Sequence, residues 1–130
     1  MIEIRGLHLT MDGFVRSSES LQPQHITQVF DELVEALGMQ YLQAPLAAFV
    51  PSREERLQTE EDEGGWSVFA QITTSHIAIH CWPARKAFML DVFSCKTFDG
   101  HKAKRLLHER LNVTTAVTEI HERLGPLALE

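Results

Sequence analysis

The order in which hydrophobic periodicity changes along the chain leaves few folds open. Over residues 22–38 the apolar residues Ile26, Val29, Phe30, Leu33, Val34 and Leu37 recur at the three-, four- and seven-residue spacings of one helix face. Pro23 suits the first turn of that helix and Gly38 its end. A second helix is expected from Asp99, an N-cap residue type, to Leu111. It turns Ala103, Leu106, Leu107 and Leu111 inward and Lys102, Lys104, Arg105 and Glu109 to solvent. Strand-like segments lie at about residues 3–11, 66–72, 75–81, 88–93 and 113–120, with a weaker one within 39–50. The resulting β-α-β-β-α-β order, with several strands between the helices, predicts an α+β fold: a two-layer sandwich of a mainly antiparallel sheet with two helices on one face. The Glu-rich stretch 51–65 reads as a loop.

Length and charge narrow the class. A chain of 130 residues suits one domain spanning 1–130. Its formal charge of −6, with scattered Lys and Arg, argues against nucleic acid, because phosphate binding needs clustered cations. No run approaches the roughly 18 apolar residues of a membrane span. The first five residues alternate apolar and charged types rather than following a secretory layout. Two cysteines, Cys81 and Cys95, are too few for a disulfide scaffold, so a soluble, cytoplasmic protein is expected.

Chemistry-bearing residues concentrate in 72–83 and 90–95. His76, His80, Cys81 and His8 could be read as metal ligands. On a strand, however, His76 and His80 stand about 13 Å apart at roughly 3.3 Å per residue, too far for one ion, so no metal is expected. A Ser or Cys nucleophile with a His base would need the fold to gather the residues, which sequence leaves open. The plainest alternative is a core strand with satisfied histidines and Cys95 as a small buried hydrophobe.

Read in order, the run Ser75-His76-Ile77-Ala78-Ile79-His80-Cys81-Trp82-Pro83, followed by Asp91-Val92-Phe93-Ser94-Cys95, resembles the signature of the bacterial and archaeal S-adenosylmethionine decarboxylases. The likeness is strongest over 65–95, with weaker support from Gly6-Leu7-His8-Leu9. It implies a proenzyme that cuts itself between Thr74 and Ser75 into a β chain, 1–74, and an α chain, 75–130, the latter headed by a pyruvoyl group made from Ser75. That ketone condenses with the substrate amine and accepts the electron pair released with carbon dioxide, so no external cofactor is needed. By the same resemblance Cys95 returns the proton, while His80 and Ser67 assist cleavage. It further implies S-adenosylmethionine as substrate, a place in spermidine (polyamine) biosynthesis, and a homodimer with active sites near the interface.

The chain departs from that pattern at several points. Thr74 stands where the family has Glu, Val68 follows Ser67 where the family has Gly, and Ala84 follows Trp-Pro where a Glu is expected to hold the ribose hydroxyls. No counterpart of the aromatic in the family's His-x-Phe-Ser-Pro segment stands out within 39–64. These departures keep two alternatives in view: a pyruvoyl decarboxylase of arginine or ornithine, and an unprocessed pseudoenzyme that regulates an active homologue.

Overall fold

The computed structural model describes residues 5–51 and 64–127, apart from the side chain of Pro126. Six strands form one antiparallel sheet: β1 (Gly6–Val15), β2 (Leu46–Val50), β3 (Gly65–Ile72), β4 (Ser75–Trp82), β5 (Ala87–Ser94) and β6 (Val113–Arg123). They lie in the order β2-β3-β4-β5-β1-β6. Helix α1 (Pro23–Ala36) follows β1, and α2 (Gly100–Leu111) follows β5. The architecture is therefore the expected α+β sandwich, with four strands between the helices.

Each helix ends where its residue chemistry says it should. Pro23 occupies the first turn of α1, and Gly38 just past its end has φ +67°, a conformation glycine adopts without penalty. Asp99 caps α2, its side chain accepting from the Lys102 amide at 3.0 Å. That hydrogen bond to its charged form holds the Asp99 carboxyl below the ordinary range.

Strand β1 runs four residues past its expected end because Gly13 lets β1 and β6 close together. A Cβ there would collide with the Thr115 carbonyl and with Ala116. The expected loop at 51–65, and the first two residues of the expected strand at 3–11, lie largely outside the described residues.

One sheet face meets both helices. Leu9 and Met11 of β1, Val68 and Ala70 of β3, Ile77 and Ile79 of β4, and Leu90 and Val92 of β5 are buried against Ile26, Val29, Phe30, Leu33 and Leu107. Each such side chain contributes roughly 1.5–3 kcal/mol by leaving water.

The opposite face carries His8, Ser67, Phe69, His76, His80, Met89, Asp91 and Phe93, as the strand registers require. No described element covers it, and Phe14, Phe69, Met89 and Val117 stay about half or more exposed there. Among the described residues no helix is long and apolar enough to cross a membrane.

Candidate active site

Ser75 opens β4 directly after the two-residue turn Thr73–Thr74 that links it to β3, with Ile72 and Ser75 paired across the turn. Thr74 has φ +56°, the left-handed region, where a β-branched side chain costs roughly 1–2 kcal/mol. Strain of that size persists only where neighbours over-determine the conformation. Here the α1–β2 connection does so. The Gln40 carbonyl accepts from the Thr73 amide at 3.1 Å, the Gln71 carbonyl accepts from the Leu42 amide at 2.9 Å, and Tyr41 bridges to Ile72. Tyr41 is itself anchored, its hydroxyl donating to Asp31 at 2.8 Å. Burial first, and then the Asp31 carboxylate, push its phenol pKa well up.

The peptide carbonyl between Thr74 and Ser75 has a specific partner. Cys95, one residue beyond β5, donates its thiol to Thr74 O at 2.8 Å. Cys95 is only half-buried, whereas Cys81 is buried behind the sheet with its pKa pushed up to about 11 by desolvation. Of the two thiols only Cys95 is therefore accessible for chemistry. A cavity of about 320 Å³ flanks the Thr74–Ser75 bond, walled by Met39, Gln40, Ser94, Lys96 and Phe98 among others.

A second group of polar residues lies elsewhere. Ser67 on β3 and His80 on β4 are directly opposite in register, and Ser67 Oγ and His80 Nδ1 share a hydrogen bond of 2.8 Å. A separate hollow of about 390 Å³ adjoins them, lined by Val50, Pro51, Trp82 and Met89. Five residues of extended chain put His80 about 16 Å along β4 from Ser75. The alternation of side chains also sends the two to opposite faces, Ser75 with Ile77 and Ile79, and His80 with His76 and Ala78. The four candidate residues thus form two clusters within one chain, Ser75 with Cys95 and Ser67 with His80. Ala84, in the short turn Pro83–Arg85, lies at the His80 end.

His76 takes no part in either cluster. Its ring lies between Phe69 and Phe93, at centroid distances of 5.9 and 5.4 Å, and desolvation there lowers its pKa. Among the described residues, no three His, Cys, Asp or Glu side chains gather as a metal site.

Sequence reading missed Gln40 and Tyr41, because a clamp made by backbone groups has no residue signature. It also passed over Phe49. Phe49-Val50-Pro51 keeps a Phe-x-Pro spacing, and Phe49 packs edge-on against Trp66 at 5.3 Å beside the second hollow.

Comparison with known proteins identifies the family. Residues 7–124 match the S-adenosylmethionine decarboxylase family model. The chain is 30% identical over 108 residues, 82% of its length and 83% of the relative's, to the S-adenosylmethionine decarboxylase proenzyme of Clostridium botulinum (strain Loch Maree / Type A3). A shorter stretch of 64 residues, 48% of this chain and 44% of the relative, is 38% identical to the arginine decarboxylase proenzyme of Ignicoccus hospitalis. The crystal structure of the adenosylmethionine decarboxylase from Aquifex aeolicus superposes over 94% of this chain and 92% of that one, with a TM-score of 0.68 at 18% identity, and so shares its fold. With the family model covering nearly all described residues, this chain belongs to the S-adenosylmethionine decarboxylase family.

Proposed function

We propose that this single-domain chain cuts its own Thr74–Ser75 bond and then acts as a pyruvoyl-dependent decarboxylase of S-adenosylmethionine, serving spermidine biosynthesis in the cytoplasm without nucleic-acid or membrane partners. The observation that carries the reading is the hydrogen bond from Cys95 to Thr74 O, the carbonyl of the Thr74–Ser75 peptide bond.

The residues present fit the formation of the pyruvoyl group. The Ser75 oxygen attacks the Thr74 carbonyl carbon as the C–N bond breaks, giving an ester and a free amine. The Cys95 thiol hydrogen-bonds the carbonyl oxygen on which negative charge develops. Removal of the residue 75 α-proton then expels the Thr74 carboxylate, and water releases ammonia to leave the ketone. When formed, that ketone supplies an electron sink for decarboxylation. Cys95 then stands beside residue 75 to return a proton.

A second copy of the chain would complete the site. Ser67 and His80 share a well-formed hydrogen bond yet cannot reach Ser75 of their own chain, and the face they occupy is partly apolar and covered by no described element. Two copies packed through these faces about a two-fold axis would bring the Ser67–His80 pair of one subunit toward the Thr74–Ser75 end of the other. Mixing an inactive Ser75→Ala chain with an inactive His80→Ala chain should restore part of the activity. No restoration, together with a monomeric mass by light scattering, would remove the dimer.

A second reading, decarboxylation of arginine, is favoured by Ala84 and by the partial match to an arginine decarboxylase proenzyme. The deciding experiment is carbon dioxide release from S-adenosylmethionine, arginine and ornithine in parallel. We expect S-adenosylmethionine to have the highest kcat/KM; a higher value for arginine would transfer the assignment.

A further inference from the structure

The cavity beside the Thr74–Ser75 bond has a charge pattern that the proposed reaction leaves unused. Among the described residues that line it, Lys96 is the one ionisable side chain, and none is a carboxylate. Gln40, Thr73, Ser75 and Thr97 share the lining and carry neutral amide or hydroxyl groups. The chain as a whole carries −6, so the cation in this lining is opposite in sign to the net charge.

The backbone fixes where Lys96 starts. Its amide donates to Ser94 Oγ at 3.0 Å, and buried Ser94 sits directly opposite Ser75 in register. The lysine therefore leaves the chain two residues from the strand partner of the reacting serine.

We propose that this cavity is a carboxylate-accepting subsite whose charge is Lys96. The proposal rests on the reaction assigned to Ser75. A cation lined by neutral donors attracts a carboxylate, and it disfavours any substrate that would put a guanidinium or ammonium group in the same space. Two carboxylates can arrive there: that of the amino-acid substrate, and the one that self-cleavage leaves on Thr74, itself part of the lining.

The test uses Lys96→Met and Lys96→Glu, changes at an exposed side chain that leave the core untouched. If the substrate supplies the carboxylate, Lys96→Met raises KM by about tenfold or more with a much smaller change in kcat, and Lys96→Glu raises it further. If Thr74 supplies it, KM holds steady; the ¹³C-labelled Thr74 carboxyl then titrates below the ordinary α-carboxyl value of roughly 3.5 in the wild type and returns to it in Lys96→Met. Absence of both effects would overturn the proposal.

Should the chain prove uncleaved, the reaction assigned to Ser75 fails separately, and acetate titrated into the intact chain still decides the subsite. A saturable shift at the Lys96 ammonium and Thr74 amide that Lys96→Met abolishes supports it. No shift overturns it.

Discussion

The Cys95 thiol lies 2.8 Å from the carbonyl oxygen of Thr74 and donates to it, so one side chain could serve both proposed steps. In the proposed cleavage that oxygen is the one that gains charge, and in the proposed decarboxylation the same thiol would return the proton at residue 75. Cys95→Ala should therefore cleave about tenfold or more slowly, since single oxyanion donors are worth roughly 10²–10³ at the upper end and a thiol is a weak donor. Once cleaved, it should turn over poorly. A cleavage time course that matches wild type would confine Cys95 to the later step.

Thr74 holds a left-handed conformation that a β-branched residue resists. In the uncleaved Ser75→Ala background, Thr74→Gly should raise stability by about 1 kcal/mol, seen as a melting temperature a few degrees higher. In the chain with Ser75 intact, the same change should slow cleavage if the strain helps to expose the carbonyl. Faster cleavage in the glycine variant would show that the turn's strain is incidental.

The fold and the two halves of the site differed in how far sequence disclosed them. Both helices and five strands announced themselves through periodicities of 3.6 and 2, because each buries one face and the pattern records which. Strand β2 showed only weakly, within 39–50, since all five of its residues are exposed at the sheet edge and burial left little mark on their order. Ser67, Ser75, His80 and Cys95 could be named from their motif. Their division into two clusters could not, because it depends on strand register and on which way alternate side chains face. The turn's clamp by Gln40 is a backbone contact, invisible to any side-chain pattern.

His76 gives the protein a pH dependence of defined sign. Desolvation between Phe69 and Phe93 lowers its folded pKa; the Asp91 charge opposes that shift and His8 adds to it. The unfolded chain therefore takes up this proton first, near pH 6.5. The stability linked to His76 is complete above that value and declines as pH falls through it toward the lower folded pKa. His76→Phe, which preserves stacking, should flatten that part of the melting-temperature curve between roughly pH 7 and 5. An unchanged slope would contradict the shift.

Ala84 sits at the His80 end of β4, where the family resemblance implies a carboxylate. Hydrogen bonds to a charged acceptor are worth about 1.5–3 kcal/mol each, so Ala84→Glu should raise kcat/KM for S-adenosylmethionine by at least about tenfold if the ribose lies there. Strong wild-type activity that the added carboxylate leaves unchanged would place the ribose elsewhere.

The proposed decarboxylation requires self-cleavage, and intact mass under denaturing conditions reads that cleavage directly. Purified wild type should resolve into two fragments divided between Thr74 and Ser75, the second blocked to N-terminal sequencing, while Ser75→Ala stays in one piece. A wild-type protein that remains a single chain after prolonged incubation, or a Ser75→Ala variant that still divides, would contradict the account.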